Sequence, residues 1–421
     1  MILSTIAANA SIQALTFLTG ILAAYVLGPD GRGELAVILL YPQLLASLFL
    51  FGVDRATAVL AGQGALNRPF NMMCVFVLAV SVPVMASAWV CTSLMIDEQR
   101  LVALADLYVF YVPAVYFYVL AISYFGGIGD FRKYNLSRMM FYVLYPLLIV
   151  VLLAFPIQNL TVFVVANLAG AYGALIISFL FMLQVRRGEG AWSWGVAASD
   201  LKLLSRKASI FVVPAGLGVF CANLSQLALS NLGDVRALGL FVVYLGYSRL
   251  AAVVANALNL RVFQLSIAGN DQLFAGQFRK AFLVHLILSL LLYLAAPAAI
   301  TLLFGRDFGA NLGSARILLV SAVFSYLSDM LSERFKGQSA VRPDVASQVL
   351  YLTVTLAAAA LMVPAYGLIG MAISVVAGEA ARLATLLWVA IDGKGLRARS
   401  LFVLRADDLR EMGSMLSQPL R

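Results

Sequence analysis

The sequence predicts an all-α integral membrane protein of twelve transmembrane helices, set as two six-helix lobes that are parallel repeats around a central cavity. Three observations point there. First, 62% of the 421 residues are hydrophobic and only 12% are charged, about half the roughly 25% of a soluble domain, with a mean hydropathy of +0.95. This balance excludes a soluble globular enzyme, a disordered chain and a collagen-like chain. Second, basic residues fall on alternate connections between apolar runs. Third, landmarks of the first half return in order in the second.

Twelve apolar segments follow one another, at 4–27, 35–60, 72–96, 105–128, 139–156, 162–185, 208–232, 239–264, 281–304, 315–333, 346–364 and 367–391. Each is close to the ~20 residues that cross a bilayer as a helix. Turn-forming residues punctuate the junctions, as in Gly28-Pro29-Asp30-Gly31 and Phe155-Pro156. The organisation expected is an N-terminal six-helix lobe over 1–185, an inter-lobe loop over 186–207, a C-terminal six-helix lobe over 208–391 and a basic tail over 392–421 that forms a surface helix.

Connections after even-numbered segments, together with the tail, hold 20 Lys and Arg, among them Arg132, Arg187, Lys202, Lys280, Arg334 and Lys394; those after odd-numbered segments hold five when Arg316, at the edge of the tenth segment, is counted with Arg32, Arg100, Arg236 and Arg306. Basic connections stay in the cytoplasm. Both termini are therefore expected there, and the net charge of +9 needs no nucleic acid. The first segment carries no basic residue before it and no small-residue cleavage site, so it reads as a transmembrane helix rather than a removed signal. Cys74, Cys91 and Cys221 lie inside apolar segments without CxxC spacing, and read as buried, inert thiols. His285 has no His or Cys near it in sequence, so no metal site is expected.

The repeat is seen by setting Gly33 on Gly239, which brings Tyr41 onto Tyr247, Leu44 onto Leu250 and Arg55 onto Arg261; at a slightly larger offset Tyr116, Phe125 and Gly127 meet Tyr326, Phe335 and Gly337. Both halves begin on the same side, which makes the repeat parallel, about an axis along the membrane normal.

Four stretches carry a family likeness: Leu27-Gly28-Pro29-Asp30-Gly31-Arg32-Gly33-Glu34-Leu35-Ala36 after the first segment, Phe51-Gly52-Val53-Asp54-Arg55-Ala56 near the end of the second, Gly127-Ile128-Gly129-Asp130-Phe131-Arg132-Lys133-Tyr134-Asn135 after the fourth, and Leu303-Phe304-Gly305-Arg306-Asp307-Phe308 before Ala315-Arg316-Ile317-Leu318. In their order and spacing these resemble the polysaccharide-transporter branch of the MATE-like MOP flippase superfamily, with the nearest likeness to Wzx-type O-antigen and exopolysaccharide flippases. The likeness covers residues 1–391. It implies the MATE-like fold, a bacterial cytoplasmic (inner) membrane location, and translocation of a polyprenyl-pyrophosphate-linked oligosaccharide for surface polysaccharide synthesis. The implied partners are that substrate, the bilayer, and a polysaccharide polymerase with its assembly proteins. Gly52-Val53-Asp54-Arg55 also resembles a major-facilitator loop, but Ala56-Thr57-Ala58-Val59 follow where that signature has a glycine and paired basic residues.

Polar residues inside apolar segments are costly and tend to face protein or water. Arg249 lies about ten residues into its segment, roughly 15 Å deep, with Asn256 and Asn259 on the same helical face. Asn9 and Gln13 form a stripe with Thr16 and Gly20; Asn223 and Gln226 form another with Ser230. Such amides suit sugar hydroxyls, since each donates and accepts, and they suit helix–helix hydrogen bonds equally well. Arg55 and Arg261, at equivalent inner ends, either snorkel to headgroups or grip a pyrophosphate with their planar forks. Glu379 and Arg382, at i and i+3, make a structural ion pair or a proton- or cation-sensitive switch. Asp329 and Glu333 are gating candidates that also read as a solvated helix end beside Arg334 and Lys336. Tyr108, Tyr111, Tyr116, Tyr118 and Tyr124 crowd the fourth segment, as interface tyrosines or as a surface for sugar rings.

No catalytic constellation is present, so the chain does not read as an enzyme. No cofactor is expected; coupling to a proton or cation stays open. Two rivals remain. A MATE-like exporter of small cations would prefer an acidic cavity, against the Arg-bearing segments here. A membrane glycosyltransferase or polymerase would need a sizeable polar outer loop, and these are short.

Overall fold

The computed structural model describes residues 2–50, 52–187, 194–251, 271–338, 340–392 and 398–403. Every regular element among them is helical, and the chain divides into two compact units, Met1–Asn223 and Leu224–Arg421. In chain order the helices are α1 (Ile2–Leu48), α2 (Val53–Gly62), α3 (Pro69–Met95), α4 (Gln99–Tyr108), α5 (Tyr111–Gly127), α6 (Phe131–Leu152), α7 (Asn159–Arg186), α8 (Trp194–Ala208), α9 (Val212–Leu232), α10 (Val235–Ser248), α11 (Asp271–Phe304), α12 (Leu312–Gly337), α13 (Val341–Asp392) and α14 (Ala398–Phe402). Nine stretches among the described residues are long and apolar enough to cross a membrane.

Two of those nine, Ala8–Leu48 and Arg342–Asp392, hold 41 and 51 residues. Straight rods of that length would measure roughly 60 and 75 Å, against ~30 Å of hydrocarbon. Each is broken by a glycine at positive φ, Gly28 (φ 66°) and Gly367 (φ 54°), a region that costs an L side chain about 1–2 kcal/mol. The arms of α13 fold back on each other, because Gly378 on the second arm lies against Thr355 and Tyr351 on the first with no room for a Cβ.

In the first unit the core is built by α2, α3, α5, α7 and α8. Phe70, Phe117 and Phe179 meet with ring centroids 5.3–6.3 Å apart, and Arg186 lies over Phe70 at 5.3 Å. Gly127 of α5 leaves no space for a side chain against the Ala58 carbonyl of α2. The second unit is centred on Phe274, Phe278, Met330, Leu331, Phe335 and Leu386.

Several boundaries depart from the sequence expectation. The second segment, expected unbroken over 35–60, stops at Leu48 and restarts at Val53. Gly52 at φ 71° makes the break, tight against Phe211. The inter-lobe loop over 186–207 contains α8. Ala197, Leu204 and Ala208 of that helix are buried, and Asp200 accepts hydrogen bonds from the backbone N–H of Asn67 (3.1 Å), the Asn67 side chain (3.1 Å) and the N–H of Arg68 (2.8 Å). Those donors are unsatisfied at the start of α3, so α8 is fixed to the unit by capping its neighbour. α11 begins ten residues before the expected 281, which places Arg279 and Lys280 inside a helix, both buried. Within the tail, α14 is packed rather than laid on the surface: Leu401 is buried, Phe402 meets Phe278 and Phe282 edge-on, and Arg279 donates to the Ser400 carbonyl at 2.5 Å.

Candidate functional site

In the second unit, a three-residue ion cluster joins α12 and α13. Arg382 donates to Asp329 at 3.0 Å and lies 3.7 Å from Glu379, one helical turn away on its own arm. The side chains of Arg382 and Glu379 are 14% and 11% exposed, that of Asp329 48%. Two carboxylates thus share one guanidinium, and one Glu379 oxygen and the Arg382 Nε are buried without a hydrogen-bond partner among the described residues. With every group ionised the cluster carries one surplus negative charge. Glu333, one turn on from Asp329, pairs with Lys336 at 2.9 Å, one of the two basic neighbours noted beside it in the sequence.

A second polar group lies at the same end of α12 and the start of α13. Asp344, 1% exposed, accepts from Ser332 at 2.6 Å and Gln348 at 3.1 Å, with Lys336 at 3.9 Å. Arg334, also 1% exposed, pairs with Asp271 at 2.7 Å and covers the Phe274 ring. Sequence reasoning counted Arg334 as a loop charge and passed over Asp344. The signal for Asp344 was present: an acid in the first turn of a long apolar helix, just after Pro343.

Arg249 is exposed and opens a single 3-10 turn, Arg249–Ala251, at the end of α10. No carboxylate pairs with it among the described residues; Tyr351 is within electrostatic reach. The α-helical ladder of α10 tightens at Arg249; the rest of its segment, from residue 252, lies outside the described residues. Asn256, Asn259 and Arg261 lie outside the described residues.

In the first unit Asn9, Gln13 and Thr16 lie along one exposed stripe of α1. Thr16 bonds to the carbonyl of Ile12 on its own helix, whereas the amides of Asn9 and Gln13 bond to nothing among the described residues. Exposed, unspent amides are expensive in lipid, so this stripe belongs against water or protein. Asn223 gives its amide to the Val219 carbonyl of its own helix, and Gln226 is half-buried. Arg55 is exposed in the first turns of α2. Of the five tyrosines of the fourth segment, Tyr108 and Tyr116 are fully buried. Tyr108 donates to Asn167 at 2.6 Å and accepts from Gln43 at 2.8 Å, which ties α1, α4 and α7 together through two partners, Gln43 and Asn167, that the sequence reading did not single out.

Among the described residues no group of three His, Cys, Asp or Glu is placed to hold a metal ion. His285 is buried, stacked on Tyr326 at 4.5 Å, with its Nε2 3.2 Å from the Ala322 carbonyl.

No protein-family model matches the chain. No curated protein matches it either. Among solved structures it is similar to the lipid II flippase MurJ in an inward closed conformation, with TM-score 0.69, 12% identity, and coverage of 98% of this chain and 93% of that one. It is similar also to an inward-facing multidrug-resistance MATE family transporter of the MOP superfamily, with TM-score 0.66, 16% identity, and coverage of 93% and 100%. A MOP superfamily transporter from Pyrococcus furiosus matches at TM-score 0.60 and 18% identity, over 92% of this chain and 93% of that one. At these identities the likeness is one of fold: the chain is a multi-pass helical membrane protein folded like MOP-superfamily transporters.

Proposed function

We propose that this protein is a flippase that carries a polyprenyl-pyrophosphate-linked oligosaccharide across a bacterial cytoplasmic membrane for surface polysaccharide synthesis. In this reading twelve spans form two six-helix lobes, both termini are cytoplasmic, and the lobes alternately open a hydrated cavity while the polyprenyl chain stays in lipid. The observation that carries the reading is Arg249, an exposed guanidinium in an otherwise apolar run with no carboxylate neighbour among the described residues. Such a cation is costly in a membrane and suits an anionic cargo, because its fork takes two phosphate oxygens at once. The unspent amides of Asn9 and Gln13 suit sugar hydroxyls. The Glu379–Arg382–Asp329 cluster, with its surplus negative charge, is the proposed place where a proton or monovalent cation couples to transport.

Arg249→Ala should abolish export with normal insertion, and Arg249→Lys should keep part of it, since the charge survives without the fork. The measurement is surface polysaccharide in a flippase-deficient strain, beside the protein level in the membrane. Full export by a well-inserted Arg249→Ala protein would take Arg249 off the substrate path. A second reading, an ion-coupled exporter of small molecules, draws on that acidic surplus; drug efflux by the wild-type protein without polysaccharide export would favour it.

A further inference from the structure

One face of α6 holds Tyr134, Arg138, Tyr142 and Tyr145, at i, i+4, i+8 and i+11. The opposite face holds Leu136, Val143, Leu147 and Val150, all exposed, and is the one suited to lipid. The tyrosine face turns toward α5, where Tyr111 and Tyr118 come within electrostatic reach of Tyr142. The rings have firm backing. Tyr111 is stacked on the buried Tyr108 at 5.0 Å, and Phe141 holds Tyr142 at 5.1 Å and Tyr145 at 5.9 Å. Gly170 and Gly173 of α7 let that helix close on Tyr145 and Leu144 from behind.

Tyr111, Tyr118 and Tyr142 are each partly exposed, and their hydroxyls bond to nothing among the described residues. Each end of the row has a cation without a carboxylate partner among those residues. Arg138 lies over the Tyr134 ring at 4.9 Å and donates to its hydroxyl at 3.2 Å. Arg32, in the first turn after Gly28, is within electrostatic reach of Tyr145, and its Nε is buried with no hydrogen-bond partner. Nearby Glu34 is taken by Arg100 at 2.9 Å. Between Arg138 and Tyr145 the helix rises about 10 Å.

We infer that this row, Tyr111, Tyr118, Tyr142 and Tyr145 between Arg138 and Arg32, is a saccharide track within the first unit. Phenol rings pack against the apolar faces of sugar rings, and the free hydroxyls of Tyr111, Tyr118 and Tyr142 can both donate to and accept from sugar hydroxyls. An arginine at either end holds the phosphates of the same molecule as it enters and as it leaves. The inference rests on the proposed function and specifies where the glycan lies.

The test uses the purified full-length protein in lipid nanodiscs and two synthetic probes, a short-chain prenyl pyrophosphate with and without an attached disaccharide. The wild-type protein should bind the sugar-bearing probe more tightly. The double variant Tyr118→Phe, Tyr142→Phe keeps both rings and loses two hydroxyls, and should reduce that preference roughly ten-fold, as two lost hydrogen bonds require; its binding of the bare probe reports that it is folded. A preference that is present in the wild type and unchanged in the variant would overturn the track and leave the transport reading standing, as would equal wild-type binding of both probes. A wild-type protein that binds neither would overturn both.

Discussion

Arg382 is the residue on which two acids depend. Removing its charge leaves Glu379 buried and Asp329 half-exposed without a counter-ion. Breaking a buried pair on one side costs about 3–5 kcal/mol, and the exposure of Asp329 sets the effect at the lower end. Arg382→Met should therefore lower the thermal midpoint of the detergent-solubilised protein clearly, and adding Glu379→Gln with Asp329→Asn should restore most of it. Equal midpoints for the single and triple variants would mean that the three groups are not coupled. Sequence spacing alone reveals the Glu379–Arg382 half, because i and i+3 share a helical face. Asp329 is 53 residues away, and nothing in a single chain announces so distant a partner. A separation of 63 residues likewise hid the pairing of Arg334 with Asp271 and made a buried arginine look like a loop charge.

Among the elements, α13 shows most directly what holds the second unit together. Its two arms meet where Gly378 faces Thr355 and Tyr351 without space for a methyl group, one residue before Glu379. Gly378→Ala should force the arms apart, lower the amount of folded protein recovered by size-exclusion chromatography, and weaken the ion cluster beside it; overpacking of this kind typically costs ~1–3 kcal/mol. Gly313→Ala, with open space around the added Cβ, is the control and should leave recovery unchanged. If the two variants behaved alike, the tight contact would not matter. Hydropathy located this element well, since Pro364 and Gly367 punctuate the apolar run. It misjudged α8, whose polar residues look like a solvated loop until Asp200 is seen capping the start of α3.

For the whole molecule, we propose from the distribution of Lys and Arg that residues 187 and 394 lie on the cytoplasmic side and residue 97 outside. Reporter fusions after Arg187 and after Lys394 should read cytoplasmic, and one after Asp97 external. An external reading at Arg187 would overturn both the orientation and the parallel repeat. The all-helical, multi-pass class was legible because apolar length answers to the bilayer, whose demands are the same along the whole chain. The candidate site was less so. The amides of Asn9 and Gln13 fit a ligand stripe and a helix–helix bond about equally well in sequence, because both uses ask for the same donor and acceptor.

The docking of α14 also sets an order in time. Arg279 finds the Ser400 carbonyl 121 residues further along the chain, and Phe278 and Phe282 find Phe402. At ~5–20 residues per second of synthesis, those groups wait roughly 6–25 s after emerging before their partners exist. During that interval the second unit has an open seam holding a cation and two aromatic rings. Residues 400–402 are the ones that close it, so a chain that stops before Phe402 keeps the seam open.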